Sequence, residues 1–373
     1  MIARPLNIVF VGLSLSSSWG NGHATTFRAL MRGLHKLGHQ LTFLERDVPW
    51  YADNRDLAEP DFCALHYYDS VANLESKYGE VLQQADAVIV GSFVPEGVAV
   101  IETVAALCTG TVCFYDIDTP VTLAKLRAHD HEYLAGYQIP LFDIYFSFTG
   151  GPTLERLQTE FGARRAEPLY CSVDESRYAP TGEQPVWDLG YLGTYSQDRQ
   201  PTLERLLIDV ARKMPERRFV IAGPQYPNDM QLPANVDRIE HLPPIEHPSF
   251  YSRQRYTLNV TRRDMIAAGW SPSVRLFEAG ACGCPVISDR WNGLGDFFPL
   301  GEAIQVADTT DDVCRILEDD RTGRAMARRA QQIVLTSHTG YARAHELVAS
   351  LTSDKNEPIR HHQNELIAGE TNA

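Results

Sequence analysis

The chain has 373 residues, a length that favours two domains over one. Its 44% apolar and 22% charged residues are typical of a globular protein, and no apolar run reaches the ~18 residues of a membrane span. The formal net charge of −14 argues against extended contact with nucleic acid, which depends on many lysine and arginine contacts to phosphate.

Short apolar runs alternate with amphipathic helical sequence from residue 7 to residue 171. The runs are mostly unbroken, as in strands buried on both faces, and they predict a parallel sheet. They are NIVFVGL, QLTFLE, DAVIVGSF, TVCFYDI, DIYFSF and EPLYCSV. Helical patterns such as TTFRALMRGLHKLG, with Gly38 as a stop, separate them. Residues 1–173 are therefore predicted to form one Rossmann-like domain.

Residues 174–186, DESRYAPTGEQPV, interrupt this alternation and are predicted to be a linker. A second series follows in residues 187–352, which predicts a second Rossmann-like domain. Its strand candidates are WDLGYLG, RRFVIAG, VDRIEHL, YTLNVT, CPVISD and AIQVAD. Residues 353–373 are polar and are predicted to be a flexible tail. Because ligands bind beyond the carboxyl ends of parallel strands, two such α/β halves predict a functional cleft between them.

The cysteine pattern indicates the cellular compartment of the protein. Seven cysteines are odd in number and include no CxxC pair, so a cytoplasmic location is predicted. The apolar run after Arg4 imitates a short signal peptide, but it contains Asn7 and leads directly into helical sequence. The sequence leaves peripheral membrane contact and the oligomeric state open.

The stretch GWSPSVRLFEAGACGCPVISD, residues 269–289, is the most informative part of the sequence about ligand binding. Ser271 is a suitable N-cap and Pro272 suits the first helical position, so the backbone N–H groups from Ser273 onward could hold a phosphate. Arg275 would add guanidinium donors near the helix start. Glu278, one turn later, could accept hydrogen bonds from a ribose diol; the alternative is a glutamate on a solvated helix face.

The segment SVRLFEAGACGCPVISD resembles the donor-nucleotide helix of GT-B glycosyltransferases, particularly the bacterial spore-maturation CgeB-type group and the group 1 family. GNGHATTFRALMRGLHKLGHQLTFLERD is similar to the opening of the same superfamily. The resemblance implies the GT-B fold, an α/β architecture of two Rossmann-like domains whose parallel sheets face each other across a cleft. It also implies that Glu278 binds ribose and that the preceding helix start binds diphosphate. Trp270 stands where many retaining GT-B enzymes have another glutamate.

A second glycine-containing loop, GYLGTYSQDRQ, follows the first strand of the second half. Gly193 permits close backbone approach, Thr194 and Ser196 offer hydroxyl groups on either side of Tyr195, and Arg199 could reach an anion. The alternative is a capped turn. In the family that this chain resembles, the corresponding loop binds diphosphate.

Two further loops are assigned through the same resemblance. His241, Leu242 and Pro243 would border the nucleotide base with backbone and apolar contacts. The loop GLGDFF, after Trp291 and Asn292, is expected either to direct backbone amides toward the donor sugar or to form a glycine-rich turn.

His23 lies in the first strand-to-helix connection. Gly20 and Gly22 match a dinucleotide-binding fingerprint, but Thr25 occupies its third glycine position, so nicotinamide binding is disfavoured. In inverting relatives of the resembled superfamily, this loop often carries a catalytic histidine, and a neutral imidazole could take the acceptor hydroxyl proton. The alternative is a histidine that caps or packs on the first helix.

Asp116 and Asp118 form a DxD pair at the end of a predicted strand. Such a pair could hold a divalent metal against a diphosphate, as in GT-A glycosyltransferases. The two-half organisation favours a different role for Asp118: it orients His23 or the acceptor, or it caps the helix that begins near Pro120.

Together with these residues, the resemblance implies a glycosyltransferase enzyme that uses a nucleotide-diphosphate sugar, a UDP-, GDP- or dTDP-sugar, without an obligatory metal or other cofactor. The acceptor would be a glycan, a protein or a small molecule. The predicted catalytic residues are His23 and Asp118. Two alternatives share the fold: a nucleotide-sugar 2-epimerase, and a non-catalytic protein that binds sugar nucleotides or glycans.

Overall fold

A computed structural model describes residues 4–19, 22–319 and 322–353. Its first half is built on a seven-stranded parallel sheet with the order β3-β2-β1-β4-β5-β6-β7. The strands are β1 (Asn7–Gly12), β2 (Gln40–Arg46), β3 (Ala64–Tyr68), β4 (Ala87–Gly91), β5 (Thr111–Asp116), β6 (Ile144–Ser147) and β7 (Ala166–Pro168).

The second half is built on a six-stranded parallel sheet with the order β10-β9-β8-β11-β12-β13. The strands are β8 (Trp187–Leu192), β9 (Phe219–Ala222), β10 (Val236–Ile239), β11 (Gln254–Asn259), β12 (Val286–Ser288) and β13 (Gln305–Val306). The two sheets confirm the predicted α/β class.

Helices connect the strands of both sheets. Those of the first half are α1 (His23–Lys36), α2 (Pro49–Ala52), α3 (Val71–Gln83), α4 (Gly97–Leu107), α5 (Thr119–Arg127) and α6 (Pro152–Thr159). Those that follow are α7 (Gln200–Leu203), α8 (Asp209–Lys213), α9 (His247–Ser252), α10 (Arg263–Ala268), α11 (Val274–Ala281), α12 (Leu294–Phe297), α13 (Thr310–Glu318), α14 (Thr322–Ser337) and α15 (Gly340–Thr352). A π-helical turn, Glu204–Ile208, joins α7 to α8, and 3₁₀ turns occur at Gly136–Leu141 and Pro244–Glu246.

The central strands are apolar on both faces because helices cover both sides of each sheet. In β1, Val9 and Val11 face one apolar cluster, while Ile8 and Phe10 face another, and all four side chains are fully buried. The unbroken apolar run that predicted this strand has this two-sided burial as its physical cause. β3 was not predicted because this edge strand alternates exposed and partly buried residues.

The chain crosses between the halves twice. Between β7 and β8 there is no helix or strand, and Val173 pairs with Thr339 at the second crossing. α15 then returns to pack on α1, where Ala344 and Leu347 join the apolar cluster that contains Leu30. The last helix therefore contributes to the core of the first half. Of the predicted tail, residues 354–373 lie outside the described part of the chain.

Candidate functional site

Each sheet reverses its strand order at one point, and these two points hold most of the predicted site residues. In the first sheet the reversal lies between β1 and β4, and in the second between β8 and β11. The loops that leave adjacent strands in opposite directions open a crevice there. His23 begins the helix after β1, and the loop 193–199 follows β8. Ser271 and Arg275 follow β11.

His23 and Asp118, which are 95 positions apart in sequence, are brought together. His23 Nε2 lies 3.3 Å from Asp118 Oδ2. The imidazole is buried and lies edge-on to Phe93, with ring centroids 5.6 Å apart. The Asp118 side chain is 43% exposed, so it is the member of the pair that reaches solvent. Asp118 is also the N-cap residue of α5, but its side chain makes no capping hydrogen bond.

Asp116, the other carboxylate of the DxD pair, points away from solvent. It is fully buried and accepts hydrogen bonds from Thr122 Oγ1 at 2.6 Å and Tyr145 Oη at 2.5 Å. The interpretation of Asp116 and Asp118 as paired metal ligands is therefore not supported by their orientation. Burial raises the pKa of Asp116 to about 6.

This raised pKa predicts a pH-dependent stability difference. A carboxyl whose pKa is higher in the folded state than in the unfolded chain stabilises the fold at low pH and loses that contribution as pH rises through about 6. The Asp116→Asn variant does not titrate at this position. Its free energy of unfolding should therefore improve relative to the parent protein by about 2–3 kcal/mol between pH 4 and pH 7. Urea denaturation across this range measures the difference, and a constant difference would contradict the prediction.

A chain of buried hydroxyl groups connects the His23 side of the cleft to the donor helix. Thr119 Oγ1, next to Asp118, lies 2.8 Å from Ser147 Oγ. Ser147 in turn donates to the Thr149 carbonyl at 2.7 Å. Thr149 Oγ1 lies 3.0 Å from Ser271 Oγ, in the second half. The two predicted groups of site residues therefore border one interlobe seam.

The donor helix begins two residues later than predicted. α11 starts at Val274 with Ser273 at the N-cap, so the assignment of Ser271 as N-cap and Pro272 as first helical residue is wrong. Both residues instead contact the first half of the chain: Ser271 through Thr149, and the Pro272 carbonyl through Cys171 Sγ at 3.3 Å. No side chain caps α11, which leaves its first N–H groups available to a ligand.

Arg275 is held against the end of β8 by neutral acceptors. Its Nε donates to the Leu192 carbonyl at 2.6 Å, and Nη1 donates to Asn259 Oδ1 at 3.0 Å. A Cβ atom at Gly193 would lie 3.0 Å from Arg275 Nη2, so the glycine lets the guanidinium approach the backbone. Ser273 Oγ donates to the same Asn259 oxygen at 2.8 Å.

Arg199 lies beside this group. It donates to the Thr194 carbonyl at 2.7 Å, while its buried Nε has no partner in the described structure. Burial lowers the pKa of Arg199, and the positive charges of Arg275 and Arg262 lower it further. No described carboxylate forms an ion pair with Arg199 or Arg275. The charges of Asp198 and Asp289 act on these arginines only from beyond ion-pair distance, so the cationic pair is a ready site for an anion.

The rest of the loop surrounds the cationic pair. Thr194 is exposed, and Tyr195 and Ser196 are half-buried. Tyr195 donates its N–H to the Pro224 carbonyl at 3.0 Å, and the Ser196 hydroxyl donates to Asp198. The alternative of a turn that serves only as a helix cap does not account for two adjacent guanidinium groups.

Glu278 is only 6% exposed, so the alternative of a solvated helix-face glutamate is wrong. Tyr251 Oη donates to Glu278 Oε2 at 3.2 Å, and His247 Nδ1 lies 3.9 Å from the same oxygen. Tyr178 Oη lies 3.1 Å from His247 Nδ1. Burial raises the pKa of both tyrosines, and the Glu278 carboxylate raises it further. These groups fix the orientation of the carboxylate at the cleft end of the linker.

The predicted base-binding segment lies partly at the cleft. His241 is exposed and Leu242 is half-buried. Pro243 lines a cavity of about 210 Å³ together with Arg28 of the first half and Tyr178 of the linker. The structure therefore brings Pro243 near the Glu278 cluster, whereas His241 makes no described side-chain contact there.

The sequence analysis missed several residues that shape this site. Asn259 positions both Ser273 and Arg275, and it is fully buried. An amide at the end of a predicted buried strand was the signal for it, because a buried amide needs partners. Tyr178 and Tyr251 had no such signal, since their approach to Glu278 depends on chain crossings that sequence spacing does not reveal.

Residues 4–19, 22–319 and 322–353 contain no group of three or more His, Cys, Asp or Glu side chains arranged to hold a metal ion. None of the helices in those ranges has the length and apolar character needed to cross a bilayer.

Comparisons with known proteins give a family match over part of the chain and a shared fold. Residues 199–349, less than half of the chain, match a family model described as "Glycosyl transferase-like". No curated protein sequence matches the chain. The family match confirms the prediction of a glycosyltransferase enzyme, while the acceptor is unidentified and neither alternative function is favoured.

Several solved structures share the fold at low identity. Sucrose-phosphate synthase from Thermosynechococcus elongatus is 11% identical with a TM-score of 0.67, over 93% of this chain and 98% of that chain. HepE of Anabaena in complex with UDP and glucose is 11% identical with a TM-score of 0.65, over 93% of this chain and 99% of that chain. An alpha-glucosyltransferase in complex with UDP-glucose and DNA containing an abasic site is 14% identical with a TM-score of 0.66, over 93% and 99%. The chain therefore has the GT-B fold and carries a glycosyltransferase domain at residues 199–349.

Proposed function

We propose that the protein transfers a sugar from a UDP-sugar to a hydroxyl group of its acceptor. The observation that carries this proposal is the pair of Arg199 and Arg275, neither in a described ion pair, beside the uncapped start of α11. Guanidinium donors and helix N–H groups together suit a diphosphate. UDP is proposed as the nucleotide because two of the solved structures with this fold contain UDP or UDP-glucose.

The remaining donor contacts follow from this placement. The backbone of Gly193 to Ser196 would border the diphosphate, and Glu278 would accept hydrogen bonds from the ribose. Tyr251 holds one Glu278 oxygen at 3.2 Å, which orients the carboxylate. Pro243, with His241 and Leu242, would border the base.

The His23 and Asp118 pair is proposed to accept the proton of the acceptor hydroxyl. The exposed Asp118 carboxylate would orient that hydroxyl. The buried His23 imidazole, whose Nε2 lies 3.3 Å from Asp118 Oδ2, would take up the proton. The acceptor oxygen then bonds to the anomeric carbon with inversion, while the bond from that carbon to the diphosphate oxygen breaks. Arg199 and Arg275 stabilise the charge that develops on the departing UDP.

The finer assignments also belong to this proposal. They are membership of the CgeB-type group, domain boundaries at 173 and 187, catalysis without an obligatory metal, and a cytoplasmic location. A glycan, a protein or a small molecule is the proposed acceptor class. DNA, present in one of the similar structures, is disfavoured by the net charge of −14.

A thermal-shift screen with EDTA present tests the donor. UDP and UDP-sugars at about 100 times their dissociation constants should stabilise the native state by about 2.7 kcal/mol, which raises Tm by about 3 °C for a chain of this length. GDP, dTDP and CDP, with their sugars, serve as matched controls. Equal shifts with every nucleotide would reject the choice of UDP, and no shift with any would reject the proposed function.

A further inference from the structure

Trp270 joins the two halves at the cleft through its backbone. Its carbonyl accepts from the Gly150 N–H of the first half at 2.9 Å, and its own N–H donates to the Asn292 carbonyl of the second half at 2.6 Å. The residue has a φ of 42°, in the left-handed region that a tryptophan rarely adopts. Surrounding contacts on both sides therefore hold this conformation.

The Trp270 indole lies between two glycines, one from each half. A Cβ atom at Gly151 or at Gly293 would come within 2.5 Å of indole carbons, and both glycines have positive φ. The ring therefore packs against backbone and is poorly placed to stack on a ligand. Its polar edge is directed instead: Nε1 donates to Asp296 Oδ2 at 2.6 Å.

Asp296 lies at the carboxyl edge of the second sheet. It belongs to α12, which follows β12, and it is exposed while its helix neighbours Leu294 and Phe297 are buried. Its negative charge contributes to the raised pKa of Tyr170, a residue of the first half, although burial is the main cause of that shift. Because the indole that donates to Asp296 packs against Gly151 of the first half, the carboxylate lies at the seam between the halves.

The position of this carboxylate relative to the phosphate site suggests its partner. Trp270 is three residues before Ser273, the N-cap of the helix proposed to hold the diphosphate. A sugar that extends from this helix start toward the seam would meet Asp296. Asp296 Oδ2 is occupied by the indole, and Oδ1 has no described donor. A carboxylate oxygen is a strong acceptor for a sugar hydroxyl.

We propose that Asp296 binds a hydroxyl group of the transferred sugar, and that Trp270 is the positioning residue that holds its carboxylate. This inference rests on the proposed function. Asp296 would contribute to donor specificity, since a site built around a hydroxyl hydrogen bond rejects sugars that lack this hydroxyl or present it in the other orientation.

Titration calorimetry with UDP and UDP-glucose tests the inference on the full chain. In Asp296→Asn, UDP affinity should stay within twofold of the parent protein, while UDP-glucose affinity should fall about tenfold or more. Asparagine still accepts the indole N–H, so the interlobe packing is preserved. In Trp270→Phe, the ring remains between the glycines but the N–H is lost, and a smaller, about threefold, loss for UDP-glucose alone is expected.

Discrimination between sugars provides a second readout. The parent protein should distinguish UDP-glucose from at least one of its deoxy analogues, and Asp296→Asn should lose that distinction. Equal losses for UDP and UDP-glucose would indicate a purely structural role and overturn the inference. Parent-like UDP-glucose affinity in Asp296→Asn would also overturn it. A parent protein that binds neither ligand would reject the UDP-sugar function and this inference together.

Discussion

Replacement of His23 by alanine is expected to reduce kcat by a factor of about 10²–10⁴ and to leave UDP affinity unchanged. The imidazole is part of the first half and lies 3.3 Å from Asp118, whereas the proposed diphosphate ligands belong to the second half. Loss of the proton acceptor should therefore slow the reaction without disturbing the nucleotide. Hydrolysis of UDP-glucose by water requires the same proton transfer and can be followed as UDP release before the acceptor is known.

The helix that carries His23 also offers a matched control. His35 is exposed near the last turn of α1, so His35→Ala changes the same residue type on the same helix without touching the cleft. The kcat of Asp118→Asn should lie between those of His23→Ala and His35→Ala, because asparagine keeps a hydrogen-bond partner for the imidazole but removes the charge. Undiminished turnover by His23→Ala would reject the role assigned to this residue.

Replacement of Arg275 by alanine is expected to weaken UDP binding about 100-fold. The guanidinium is held by Leu192 and Asn259 through neutral oxygens and has no described carboxylate partner, so its charge is available to the diphosphate. Hydrogen bonds that involve charged groups contribute about 1.5–3 kcal/mol each, and about 2.7 kcal/mol corresponds to 100-fold. Calorimetric titration with UDP measures the loss, and Arg199→Ala should show a loss of similar direction.

UMP and a remote arginine serve as controls for this result. UMP lacks the second phosphate, so its affinity should fall less than that of UDP. Arg212 is exposed and paired with Glu204 and Asp209, so Arg212→Ala makes the same change in net charge at a distance from the cleft. UDP binding equal to that of the parent protein would place the diphosphate elsewhere.

The two-sheet architecture was predictable because strands that are buried on both faces have unbroken apolar sequences. A strand such as β1, with apolar residues on each face, is an unbroken apolar run in the sequence. The helix α1, which follows β1, has helical periodicity. β3 has no such apolar run, because it lies at a sheet edge and buries only one of its side chains. The start of α11 was misplaced by two residues, because serine at either 271 or 273 satisfies the same capping preference.

The sequence by itself determined the fold class, the alternation of strands and helices, and the residue types at the donor helix, because these depend on local periodicity and on short motifs. Only the tertiary structure decided that Asp118 meets His23, that Asn259 positions Arg275, and that Trp270 directs its N–H at Asp296. Each of these contacts joins segments that lie on different strands or loops of the fold. Their distances depend on strand order and on the packing of one half against the other, which sequence spacing does not specify.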